Sequence, residues 1–215
     1  SAASDVYKRQ TGGIVGINHG TLINCQFTGV VTGDSEVGGI VGRNESEGTI
    51  DHSTARAIVT GKSSTGGIAG YNLGAITGCT NVGSINTEYQ EASLDTDGFT
   101  AKMVDQINNK MAAADDDVTN SVTNVATDTG GIAGRSSGMI LTSVNTGTVG
   151  YEHIGYNVGG IVGRTDGLVS GCVNQGHVLG RKDVGGIAGQ AEPYRELDLS
   201  KDCLLYTSPS PRDPK

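Results

Sequence analysis

The phrase Gly-Gly-Ile-Val/Ala-Gly occurs six times in this chain, beginning at Gly12, Gly38, Gly66, Gly130, Gly159 and Gly185. The starts are separated by 26, 28, 64, 29 and 26 residues. Self-similarity at a nearly fixed period demands a stacked fold, in which each unit buries its apolar face against the next copy of itself. Glycine is abundant, 35 of 215 residues, while the chain has only 2 Phe and no Trp. That composition usually signals disorder. Here the glycines recur in phase, so they mark turns, and the core they allow is a narrow column of aliphatics.

Within each repeat, three short apolar runs are separated by glycine or asparagine. In the first copy they are Gly13-Ile14-Val15-Gly16, Thr21-Leu22-Ile23-Asn24-Cys25 and Gly29-Val30-Val31-Thr32-Gly33. Such runs are strand signals and are too short for helices. Superimposing the repeats gives three aliphatic columns. The first holds Ile14, Ile40, Ile68, Ile132, Ile161 and Ile187, the structural core of the reading. The second holds Leu22, Ile50, Ile76, Ile140 and Val169, and the third Val31, Val59, Ile85, Val149 and Val178. The pattern predicts an all-β chain: a right-handed parallel β-solenoid (β-helix) of about six coils, three short strands per coil, with coils ~4.8 Å apart.

The coils divide into 11–87, coils 1–3, and 130–190, coils 4–6. The long interval between them, 88–129, is an excursion. Phe99, Met103, Ile107 and Met111 recur there at helical spacing, which predicts an amphipathic helix over about 99–113, capped by Asp97. Beyond Gly189 the repeat dissolves, so 191–202 reads as the start of a truncated following region. The two ends share nothing with the repeat. Asp5 to Gln10 can be written gat gtg tat aag aga cag, and the reverse complement, read one base in, encodes Cys203-Leu204-Leu205-Tyr206-Thr207-Ser208. Residues 1–10 and 203–215 are therefore expected to be sequencing adapter rather than native protein, and carry no weight in fold reasoning.

A formal charge of −8 with few aromatics argues against nucleic acid as a partner. No stretch approaches the ~18 apolar residues of a membrane helix. Cys25, Cys79 and Cys172 share one position of the repeat with Ser53 and Ser143. Cysteines two coils apart would stand ~9.6 Å from one another, beyond the ~7 Å reach of a disulfide, so free buried thiols in a tight corner are expected. Metal-type Cys-x-x-Cys spacing is absent. Asp95-Thr96-Asp97-Gly98 lacks the later ligands of a calcium loop. His19, His52, His153 and His177 fall at different repeat positions, as do Asp34, Asp51, Asp166 and Asp183. Neither a nucleophilic relay nor the clustered carboxylates of a solenoid glycosidase is assembled. The reading contains no catalytic residues, no metal and no cofactor. One column is more suggestive: the residue after each glycine phrase is Ile17, Arg43, Tyr71, Arg135, Arg164 or Gln190. Arg43, Tyr71, Arg135 and Arg164 form a candidate strip for carbohydrate or carboxylate, provided neighbours such as Glu45 or Asp166 do not simply neutralise it.

Gly-Gly-Ile-Val-Gly-Arg/Ile-Asn, then Gly-Thr-Ile/Leu, then Asn/Thr-x-Gly-x-Val resembles the GLUG-type repeat. The carrying residues are Gly12–Asn18, Gly38–Asn44 and Gly66–Asn72, with looser copies at 130–135 and 159–164, where Ser136 and Thr165 replace the usual Asn. The resemblance implies a secreted or cell-surface bacterial protein, adhesin-like and non-catalytic, whose partners would be surface glycans or proteins. The alternative it leaves open is an accessory repeat region of a larger secreted peptidase or carbohydrate-active enzyme.

Overall fold

The structure, a computed structural model, describes residues 10–88 and 126–192. The excursion and its expected helix over 99–113 lie outside the described residues, as do the terminal segments. What is described is a parallel β-solenoid of five full turns plus the first two strands of a sixth. Each turn contributes one strand to each of four parallel sheets, two six-stranded (A and B) and two five-stranded (C and D). In the second turn these strands are Ser35–Gly38 in A, Val41–Asn44 in B, Thr49–Asp51 in C and Thr54–Thr60 in D. The register passes unbroken across the long interval, since Ile76 faces Ile50 on one side and Ile140 on the other.

Four sheets replace the three expected because Gly-Gly-Ile-Val-Gly is a corner and not one strand. The isoleucine sits where sheet A gives way to sheet B, with its amide bonded from coil to coil: Ile40 N to Ile68 O at 3.0 Å and Ile68 N to Ile132 O at 2.9 Å. The last glycine of the phrase is required by close approach. A Cβ at Gly70 would stand 2.2 Å from the carbonyl carbon of Glu36 and 2.4 Å from Val37 N in the preceding coil. Without a side chain there, sheet B lies flat against the neighbouring coil's sheet A strand.

The three aliphatic columns all point inward. Ile40, Ile68, Ile132 and Ile161 are fully buried, as are Ile50, Ile76 and Ile140, and Val59, Ile85 and Val149. Removing each from water is worth roughly 1.5–3 kcal/mol. Ile14 and Ile187 depart from the expected core: they are 40% and 41% exposed, because each belongs to an end coil with a described neighbour on one side only.

Polar residues at the corners are paired in ladders. Asn18 Nδ2 donates to Asn44 Oδ1, and Asn44 Nδ2 to Asn72 Oδ1, both at 2.8 Å. Ser136 keeps the ladder by accepting from Asn72 Nδ2 at 3.1 Å. A second ladder runs through Asn81, Asn145 and Asn174 at 2.7 and 2.8 Å. Each buried amide is thereby satisfied, which removes the penalty of burying it.

The thiol column is a third ladder, at the corner from C to D. Cys25 N donates to Ser53 Oγ, Ser53 N to Cys79 Sγ and Cys79 N to Ser143 Oγ, at 3.1, 3.4 and 3.2 Å. Sulfur and hydroxyl do the same work, so Cys and Ser alternate freely. Among the described residues Cys25, Cys79 and Cys172 are all free, but only Cys79 is buried; Cys25 and Cys172 are half-buried, since they lie in the outer coils of sheets C and D. Burial pushes the Cys79 thiol up to about 11, and pushes Cys172 up in the same direction.

Candidate functional site

The outward residues of sheet B stack in one register: Ile17 beside Arg43, Arg43 beside Tyr71, Tyr71 beside Arg135, Arg135 beside Arg164 and Arg164 beside Gln190. The inward neighbours on the same strands, such as Asn44 and Asn72, are buried. Period-two alternation therefore turns the whole column outward. Tyr71 lies between two cations. Arg43 Cζ stands 4.9 Å from its ring centroid and Arg135 Cζ 5.3 Å, within the range of cation–π attraction. The Tyr71 hydroxyl is 3.2 Å from Ser137 Oγ.

The strip is not uniform, and the coil-by-coil differences are informative. Arg43 donates to Glu45 Oε1 at 2.7 Å and to Glu36 Oε1 at 3.1 Å. Burial lowers its guanidinium pKa, but the bond to Glu45 and the charges of both glutamates outweigh this and leave it raised. Arg164 donates to Glu192 Oε2 of the next coil at 2.7 Å. That bond, against the opposing effect of burial and with the added charges of Glu192, Asp128 and Asp166, raises its pKa too. Of the two partners anticipated from the sequence, Glu45 makes an ion pair, while Asp166 acts on Arg164 only through its charge.

Arg135 differs from both. Its coil carries Ser137 where the second coil carries Glu45, and Asp128 where the second coil carries Glu36. Asp128 Oδ1 accepts from Asn157 Nδ2 at 2.7 Å. Among the described residues no carboxylate lies within ion-pair distance of Arg135, and its recorded contact is the Tyr71 ring. Arg43 and Arg164 are thus neutralised in place. Arg135, half-buried beside the Tyr71 ring, has no carboxylate partner among the described residues.

Two acidic groups that set this pattern escaped sequence reasoning. Glu192 falls after the last recognisable repeat. Glu36 sits in the left-handed region (φ 52°), as do Ser64, Asp128, Asn157 and Asp183 at the same place in their coils. Its side chain pairs with Arg43 and is 7% exposed, with Oε2 lacking a partner among the described residues. An aligned acid or amide before Val/Thr-Gly in most copies was the available signal.

The histidines do not converge. His19 reaches Glu47 at 2.8 Å and His52 reaches Asp51 at 2.9 Å, both on exposed turns. The hydrogen bond from His19 holds the Glu47 carboxyl down at about 2. Among the described residues no three His, Cys, Asp or Glu side chains are grouped to hold a metal ion, and no helix is long and apolar enough to cross a membrane.

The family model described as the GLUG motif matches residues 33–60. Those residues are one full coil, from the Gly33-Asp34 corner through sheets A, B, C and D to Thr60. No curated protein and no solved structure matches the chain. With that coil recurring in register from end to end of the described stack, the chain is a GLUG-motif repeat protein.

Proposed function

We propose that the chain is a non-catalytic module of a bacterial extracellular or cell-surface protein, serving as a stalk that presents a binding face to surface glycans. The observation that carries the reading is Arg135. It is an oriented guanidinium, stacked on Tyr71, whose acidic partners present in the second coil are missing or diverted. A guanidinium of this kind suits a single planar carboxylate, which it can hold with two parallel bonds. The flanking Glu36, Glu45, Asp166 and Glu192 oppose a dense polyanion, so a glycan with isolated carboxylates fits better than nucleic acid or a heavily sulfated chain.

Charge-assisted bonds are worth about 1.5–3 kcal/mol. Arg135→Ala is therefore expected to weaken binding of a uronate-containing oligosaccharide by tenfold or more, measured by titration calorimetry. Arg43→Ala, which removes a cation already neutralised, should change it less than threefold. Equal binding by the parent chain and the Arg43→Ala/Arg135→Ala/Arg164→Ala triple variant would refute the proposed face.

A further inference from the structure

The first residue after each sheet B strand, two positions beyond the strip, forms a column of its own: Glu45, Leu73, Ser137, Asp166 and Glu192 in coils 2 to 6. Its backbone is held alike in every coil, by an amide that donates to the preceding coil. Glu45 N reaches Asn18 O at 2.9 Å, Leu73 N reaches Asn44 O at 2.8 Å and Ser137 N reaches Asn72 O at 2.9 Å. Asp166 N and Glu192 N do the same to Ser136 O and Thr165 O, at 3.2 and 2.8 Å. The side chains therefore leave from equivalent points and differ only in chemistry. Two of the acids occupy guanidiniums, Glu45 that of Arg43 and Glu192 that of Arg164, each at 2.7 Å.

Coil 4 interrupts this line with a hydroxyl. Ser137 Oγ lies 3.2 Å from the Tyr71 hydroxyl of the preceding coil. Among the described residues no other hydrogen bond reaches either side-chain oxygen. Both side chains are half-buried. A hydroxyl has one donor and two lone pairs, so their mutual bond leaves one donor and three lone pairs for a third group. That pair stands at the edge of the ring that carries the Arg135 guanidinium, whose Cζ is 5.3 Å from the centroid. A cation with a neutral donor and acceptor at its side matches an anion that carries a hydroxyl of its own.

We infer, resting on the carboxylate reading of Arg135, that Tyr71 and Ser137 determine the specificity of this site and that its ligand is a hydroxy-carboxylate. The guanidinium takes the carboxylate, and the hydroxyl pair exchanges hydrogen bonds with a hydroxyl on the neighbouring carbon. In a uronic acid these are the groups on C5 and C4. A residue linked through O4 has lost that hydroxyl, so the site takes a uronate at a non-reducing end or one linked through another position.

The test is calorimetric titration of the full chain with methyl β-glucuronoside, methyl β-galacturonoside and the methyl 4-deoxy-β-uronoside common to both. At least one of the first two is expected to bind saturably, and the 4-deoxy compound about three- to tenfold more weakly. Tyr71→Phe keeps the ring under Arg135. It and Ser137→Ala should each weaken binding of the better uronoside by about three- to tenfold and leave the 4-deoxy compound unchanged. Ser137→Glu restores the acid of coil 2 and is expected to abolish binding of all three. Equal affinity for the 4-deoxy compound, or no change with Tyr71→Phe and Ser137→Ala, overturns the inference; if Arg135→Ala still loses the sugars, the carboxylate reading stands. Binding that survives Arg135→Ala overturns both. Saturable binding of none of the three overturns the inference, and the uronate oligosaccharide with Arg135→Ala then decides the carboxylate reading separately.

Discussion

Ile68→Asp is expected to unfold the chain at room temperature, whereas Ile14→Asp should lower its stability by no more than about 1 kcal/mol. The two residues occupy the same corner of the same repeat, so propensity and local chemistry are matched. They differ in their neighbours. Ile68 is fully buried between Ile40 and Ile132, bonded to both coils through its backbone, while Ile14 is 40% exposed. An aspartate at position 68 forfeits roughly 1.5–3 kcal/mol of apolar burial and adds several more for a carboxylate without a partner. Domains of this size are stable by about 5–15 kcal/mol, and a break in the middle of a one-dimensional stack also uncouples the coils on either side. Urea denaturation would show no folded baseline for Ile68→Asp. Matching midpoints for the two variants would argue against a linear stack.

The glycine corner supplies the second large effect. A Cβ placed at Gly134 would stand 2.2 Å from Thr65 N and 2.3 Å from the carbonyl carbon of Ser64, both backbone atoms of the preceding coil. Neither can rotate away, so Gly134→Ala must push sheet B off the neighbouring sheet A strand, at an expected cost of about 3 kcal/mol or more. Gly186, the second glycine of the last phrase, by contrast has nothing within 4 Å of its would-be Cβ. Gly186→Ala is expected to be neutral, or stabilising by about 0.4–1 kcal/mol through the unfolded chain. Thermal melts should separate the pair by ~10 °C at ~2–4 °C per kcal/mol. A Gly134→Ala melt matching the parent would mean that sheets A and B are not in contact as described.

The parallel solenoid was legible because its inward columns repeat one residue type: Ile40, Ile68, Ile132 and Ile161 could be aligned by eye, and so could Val59, Ile85 and Val149. The number of sheets was not. Glycine has no side chain to alternate, so Gly-Gly-Ile-Val-Gly reads equally as a short strand or as a corner, and only the backbone contact at Gly70 decides. The candidate strip was legible as a column but not as a pattern of charge. Arg43, Arg135 and Arg164 look alike in sequence. What separates them is Glu36, paired with Arg43 from a left-handed backbone position, and Glu192, reaching across from the next coil.

The central claim is that coils 3 and 4 are direct neighbours in register despite the 64 residues between their glycine phrases. Nitroxide pairs on the outward column of sheet C test it. Thr21, Thr49, Ala75, Met139 and Leu168 stand on successive strands. Cys25, Cys79 and Cys172 can be replaced by Ser, which already fills their corner at Ser53 and Ser143, and Cys203 is replaced by Ser as well. With ~4.8 Å per strand, backbone separations should be one step for Ala75–Met139 and four steps, ~19 Å, for Thr21–Leu168. Strong dipolar broadening for Ala75–Met139 with a narrow distribution near four steps for Thr21–Leu168 is the expected result. Labels at Ala75 and Met139 lying several strand spacings apart would contradict the continuous stack on which the binding face depends.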